Sequence, residues 1–133
     1  MKIVFDIGGT KLRIASSKDG QTLIETKVFP TPQEYSEALV LLTEQFKILA
    51  SDEKVESIAG GLPGVLDITK TKIIAAANLS DWTHKPLAQD LTSIFSCPVR
   101  LENDTALGAL GEAKEGAGKD CNSVAYVAVG TGI

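Results

Sequence analysis

The chain has 133 residues, room for one ordinary domain and too little for two full lobes. Hydrophobic residues make up 44% and charged residues 23%, which excludes a disordered or disulfide-stapled chain. Acids outnumber bases for a net charge of −4, and no Lys/Arg cluster offsets it, so a general nucleic-acid or anionic-membrane partner is not expected.

Lys2–Ile7 is predicted as a buried strand, Gly8-Gly9 as a turn, and Leu12–Ser17 as a second strand, so the chain opens with a hairpin. After the Asp19-Gly20 turn, Thr22–Phe29 alternates as a third strand. From Pro32 to Ala50 the residues Tyr35, Ala38, Leu39, Leu42, Phe46 and Leu49 recur at three and four, one face of an amphipathic helix, with Thr31 as its N-cap. Val55–Gly61 is a strand that Leu62-Pro63-Gly64 ends, because proline donates nothing to a ladder. Val65–Asp67 and Lys72–Ala76 pair as a small hairpin, Lys85–Phe95 is a helix, Val99–Leu101 a short strand, and Asp104–Glu115 a helix ended by Gly116 and Gly118. Val124–Val129 reads as a last strand entering Gly130-Thr131-Gly132-Ile133 with nothing after it, as in a truncated chain. Three antiparallel strands followed by α/β alternation imply a mixed sheet with helices on its faces, not a doubly wound sheet.

The apolar run Ile3-Val4-Phe5 is interrupted at once by Asp6, unlike a signal peptide, and no stretch approaches a membrane span. Cys97 and Cys121 lie outside any C-x-x-C pattern and fit ordinary thiols in a reducing cytoplasm. The sequons at Asn78 and Asn103 are then chance matches.

Two segments carry candidate chemistry. In Asp6-Ile7-Gly8-Gly9-Thr10-Lys11 an acid ends a buried strand and two glycines follow. Glycines let backbone N–H groups approach a phosphate chain, Thr10 and Lys11 add a hydroxyl and a positive charge, and Asp6 is placed to hold magnesium through water. The same residues also suit a favoured hairpin turn after a strand-end acid, and the pattern alone leaves both open. Leu101-Glu102-Asn103-Asp104-Thr105 sits at a strand-to-helix junction, where ligands of open α/β sheets bind and where Asn and Asp are also ordinary helix caps. Both roles are compatible: Asn103 can cap while Asp104 faces a cleft. Gly60–Gly64 and Ala77–Trp82 are polar breaks after strands and read as loops, and His84 reads as a surface or capping residue. Ala113–Asp120 falls short of a P-loop, because Ala113 and Asp120 stand where glycine and Ser/Thr are needed, and reads as a flexible linker.

In this order, Asp6–Lys11, Gly61–Asp67, Asn78–Trp82, Leu101–Glu112 and Val127–Ile133 resemble the N-terminal part of the ROK family of repressors and sugar kinases, which includes bacterial glucokinases. The resemblance implies a lobe of the actin-like ATPase, ribonuclease H-like α/β fold, in the order βββαβαβα. It implies that residues 1–118 are a sugar-binding lobe and 119–133 the first strand and Gly-Thr-Gly turn of an ATP-binding lobe, so that the fragment alone is inactive. It implies ATP-dependent phosphorylation of a hexose at the 6-hydroxyl, with Asp104 as general base. Asn103, Asn78 and the backbone near Gly64 would hold the sugar. Asp6, Gly8, Gly9, Thr10 and Lys11 would form the first phosphate loop, Asp6 carrying Mg2+ through water, and Gly130, Thr131 and Gly132 the second. A structural zinc would belong only to the remaining lobe, and the expected assembly is a cytoplasmic homodimer with neither nucleic-acid nor membrane partner. The alternative is the sugar-sensing lobe of a ROK-type repressor, although Met1 lies too close ahead of Asp6 for a helix-turn-helix segment. The family often has Ala-Asn after Asn-Asp and Gly before the tryptophan, where this chain has Thr105-Ala106 and Asp81; both departures touch the rim of the sugar pocket.

Overall fold

A computed structural model describes residues 1–129. The elements are β1 (Lys2–Ile7), β2 (Lys11–Ser17), β3 (Glu25–Pro30), α1 (Tyr35–Ala50), β4 (Ser57–Leu62), β5 (Val65–Leu66), β6 (Ile73–Ala75), a 3-10 turn (Ser80–Trp82), α2 (Leu87–Phe95), β7 (Val99–Asn103) and α3 (Asp104–Glu115). Five strands form a mixed sheet in the order β3-β2-β1-β4-β7, and β5 and β6 form a separate hairpin. The β1–β2 and β2–β3 pairs are antiparallel, while β1–β4 and β4–β7 are parallel.

Alternation along the strands decides which face is covered. Ile3, Phe5 and Ile7 of β1, Leu12 and Ile14 of β2, and Ile58 and Leu62 of β4 are buried. They meet Ala38, Leu42, Phe46 and Leu49 of α1 and Leu87 and Leu91 of α2 in one core. The Phe5, Phe46 and Phe95 rings run through it at centroid spacings of 5.7 Å, distances at which tilted aromatic pairs add to simple area burial. The opposite face carries α3, none of whose residues is buried. No helix among the described residues is long and apolar enough to cross a membrane.

Three expectations are corrected. The third strand begins at Glu25, not Thr22, because the Asp19 carboxylate takes the N–H groups of Gln21 and Thr22 at 2.8 Å each and turns the chain there. Helix α1 begins at Tyr35, and Thr31 does not cap it. Thr31 is buried and bonds the turn after β1, while the Tyr35 N–H donates to Asp81 Oδ2 at 2.9 Å from 46 positions away. Trp82 joins the same anchor, its Nε1 donating to Pro32 O at 3.2 Å and its ring meeting Tyr35 edge-on. Residues Ala113–Asp120 are not a linker: Ala113 to Glu115 complete α3, and the Gly116 and Gly118 N–H groups both donate to Glu112 O. Val124–Val129, which the resemblance assigns to the second lobe, folds back within this chain, with the Tyr126 ring against Gly108 of α3 and Val124 against Gly118.

The Asp81 cap ties α1 to a distant loop, so Asp81→Ala is expected to cost about 0.5–2 kcal/mol in chemical denaturation and Asp81→Asn, which still accepts, a fraction of that. A second test concerns pH. Asp67 accepts from the Thr69 hydroxyl, from the N–H groups of Thr71 and Lys72 at 2.6 and 3.0 Å, and from the Thr71 hydroxyl at 3.0 Å. These donors, that of Thr69 first, hold its carboxyl well below the usual carboxylate range. A group whose folded pKa is lowered stabilises the fold above its unfolded pKa, about 3.9, and loses that contribution as pH falls. Melting temperatures from pH 6 to pH 2 should therefore drop less steeply below about pH 4 in Asp67→Asn than in the parent chain.

Candidate active site

Parallel pairing sets the site. Because β1, β4 and β7 run in one direction, their C-terminal ends lie along one edge, where the turn at Gly8, the break at Pro63-Gly64 and the start of α3 follow. Open α/β sheets bind ligands at such an edge. The register pairs Arg13 with Asp6, Asp6 with Gly61 and Gly61 with Glu102, so these four residues form a row across β2, β1, β4 and β7. They alternate with the buried positions and so share the face away from α1.

The turn after β1 presents donors. Its carbonyls are taken: Gly8 O by Thr31 Oγ1 at 2.8 Å, Gly9 O by Gln33 Nε2 at 3.4 Å, and Thr10 O by the Thr31 N–H at 3.0 Å. The Gly8 N–H closes on Lys11 O at 2.8 Å, whereas those of Gly9 and Thr10 have no acceptor among the described residues. Lys11 is exposed, with no ion pair among them. Neither Gly8 nor Gly9 adopts positive φ, so the glycines do not make a common two-residue hairpin turn. Gly9 is needed for space: a Cβ there would lie 3.1 Å from Asn78 Cβ. The sequence placed Asn78 and Gly9 in different binding groups, and the fold puts them in contact.

Across the edge, Asn103 is the N-cap of α3, its Oδ1 accepting from the Ala106 N–H at 3.0 Å. Its Nδ2 donates to Gly64 O at 2.9 Å. Gly64 has φ +82°, and a Cβ on it would come within 2.2 Å of Ala75 O, so no other residue fits this junction without rearrangement. Asp104 is half-buried, with Oδ1 accepting from the Thr105 N–H at 2.7 Å and Oδ2 without a partner among the described residues. Asp6 divides its carboxylate: Oδ2 pairs with Arg13 Nη1 at 2.9 Å, and Oδ1 turns toward Gly61. A Cβ on Gly61 would stand 3.2 Å from Leu107 Cδ1, 3.4 Å from that Oδ1 and 3.8 Å from Asp104 Cα, so the first turns of α3 pack close over this position.

The sequence-predicted residues Asp6, Gly8, Gly9, Thr10, Lys11, Gly64, Asn78, Asn103 and Asp104 therefore share one edge, while Gly130, Thr131 and Gly132 lie outside the described residues. A groove of about 660 Å³ is not centred on this edge; it runs beside it under α3, along Val4, Ala59, Gly61, Leu107 and Leu110. Sequence reading missed Arg13, Thr31 and Gln33. Only Arg13 left a signal, since the predicted hairpin already set it across from Asp6.

Known proteins with similar sequences and folds include sugar kinases and, among solved structures, a ROK family transcriptional regulator (TM-score 0.67, 22% identity, 84% of this chain and 29% of that one). The N-acetyl-D-glucosamine kinase of Vibrio atlanticus (strain LGP32) is 34% identical over 131 residues, covering 97% of this chain and 43% of that protein. The glucokinase of Streptomyces coelicolor is 26% identical over 133 residues, covering 100% of this chain and 42% of that protein. Among solved structures, a ROK family glucokinase from Streptomyces griseus in complex with glucose and AMPPNP superposes with a TM-score of 0.79 at 28% identity, over 90% of this chain and 38% of that one. The chain spans about two-fifths of the length of the curated relatives it matches. Its fold is that of the actin-like ATPase lobe. Residues 2–133 match the ROK family, and the chain belongs to that family.

Proposed function

We propose that the protein transfers the γ-phosphoryl group of ATP to the 6-hydroxyl of a hexose, with residues 1–118 as its sugar-binding lobe and 119–133 opening its ATP-binding lobe. The observation that carries this is the turn after β1, whose carbonyls are taken while its Gly9 and Thr10 amides have no acceptor among the described residues, on the same sheet edge as Asp6 and Asp104. The names of the relatives, an N-acetyl-D-glucosamine kinase and a glucokinase, support a hexose as the acceptor.

Each residue then has a task its surroundings suit. Asp104 takes the proton of the 6-hydroxyl through the oxygen that Thr105 leaves unpartnered, as the sugar oxygen forms its bond to the γ-phosphorus and the β–γ bridging oxygen leaves with its electron pair on ADP. Asn103 spends one acceptor position on Ala106 and one N–H on Gly64, so a second of each remains for the 3- and 4-hydroxyls. Gly64 and Asn78 bound the ring. The Gly9 and Thr10 amides, the Thr10 hydroxyl and the Lys11 ammonium receive the phosphate chain with Gly8, and Gly130-Thr131-Gly132 forms the second phosphate loop. Asp6 would hold Mg2+ through water on Oδ1, the oxygen that its ion pair with Arg13 does not use, its carboxylate being partly exposed at the sheet edge. When bound, the ion neutralises charge on the phosphates. Arg13, on the other oxygen, keeps the carboxylate turned that way. By the same family likeness the protein is a cytoplasmic homodimer.

The test is an assay of the full-length protein with ATP, magnesium and glucose, N-acetylglucosamine, N-acetylmannosamine or fructose, alongside Asp104→Asn. One hexose is expected to be phosphorylated, and the variant to bind that sugar with kcat reduced about 10²- to 10⁴-fold. A protein that binds a sugar and never phosphorylates it is a sensor, and the proposal fails.

A further inference from the structure

Lys70 sits at the tip of the β5–β6 hairpin with φ +54°, in the left-handed region that favours glycine. Ser51 and Ser96 share that region as helix C-caps, whereas Lys70, like His84 and Asp120, caps no helix. Such an outlier persists only where its surroundings impose it. Asp67 imposes it here: its side chain gathers Thr69, Thr71 and Lys72, and its carbonyl accepts the Lys70 N–H at 2.9 Å. The result carries Lys70 Nζ to Glu102 Oε2, 32 positions away.

Glu102 lies directly before the Asn103-Asp104 pair, and its other oxygen, Oε1, accepts the Asn103 N–H at 3.0 Å. With one oxygen held by Lys70, the other is left to Asn103. The same hairpin reaches Asn103 a second time, because Gly64, which leads into β5, accepts from its Nδ2. Both members of the ion pair are partly exposed, at 53% for Lys70 and 30% for Glu102, and pairs so exposed add little to folding stability. Its consequence is therefore one of orientation. The Lys70 hydrogen bond first, and then that of the Asn103 N–H, also lower the Glu102 pKa from its ordinary value and favour its charged, accepting form.

We infer that Lys70 is a positioning residue for the sugar site: the strained hairpin tip holds Glu102, Glu102 holds the Asn103 backbone, and that linkage sets the aim of the Asn103 amide and of Asp104 behind it. The inference rests on the hexose-kinase reading of those two residues.

Three variants of the full-length protein separate orientation from stability: Lys70→Arg, Lys70→Ala and Lys70→Gly. Glycine adopts the tip conformation freely, so Lys70→Gly should melt about 2–4 °C above Lys70→Ala. Both lose the ammonium, so both should shift the Asn103 and Asp104 amide resonances of the ligand-free protein. Both should also weaken binding of glucose and N-acetylglucosamine about two- to five-fold. Lys70→Arg should retain both signals. Unmoved Asn103 and Asp104 amides in the alanine and glycine variants would overturn the inference, as would sugar binding that simply follows melting temperature, low with alanine and restored with glycine. If the parent protein binds none of glucose, N-acetylglucosamine, N-acetylmannosamine and fructose, the kinase reading fails, and the amide shifts alone still decide whether Lys70 orients Asn103.

Discussion

The parallel pairing of β1 with β4 and of β4 with β7 is the constraint on which the rest depends. It brings three strand ends to one edge and sets Asp6, Gly61 and Glu102 in register. Side chains alternate along a strand, so a slip of one residue in β1 would turn Phe5 out to the open face and Asp6 into the core. Burial of Ile3, Phe5 and Ile7 against α1 thus specifies where the acid points. The apolar core and the polar row are two faces of one register.

A second constraint acts through the segment leading into α1. Thr31 and Gln33 bond the carbonyls of Gly8, Gly9 and Thr10, and Tyr35 at the start of the helix is capped by Asp81 from the loop that also carries Asn78. A single stretch of chain therefore braces the glycine turn on one side and the Asn78 loop on the other. The turn becomes a donor surface because its acceptors are already used, which is what an anionic ligand requires of a backbone. On the far side, the hairpin from Gly64 to Lys72 does the same for Asn103. The functional edge is supported from two directions by elements that contribute few or no reacting groups.

Much of this was legible in the sequence where the physics is local. The bounds of α3, Asp104–Glu115, follow from an Asn cap and a closing glycine, and those of β1 from a short apolar run broken by a two-glycine turn. Asn103 proved to cap α3, one of the two roles the motif had left open. What escaped was non-local. Thr31 carries every mark of a helix cap, yet the carbonyls it serves lie in a turn 23 positions earlier, and the acceptor that caps α1 comes from Asp81. Lys70 and Glu102 are an unremarkable pair until the hairpin folds over.

The most direct test of the account is a titration of the 133-residue chain with tripolyphosphate and magnesium, followed through the backbone amide resonances. If the turn after β1 is a phosphate site, the Gly9, Thr10 and Lys11 amides shift in a saturable way, Asp6 responds only when magnesium is present, and the Asp19 turn does not respond. Shifts spread over the exposed lysines with Gly9 and Thr10 unmoved would contradict it.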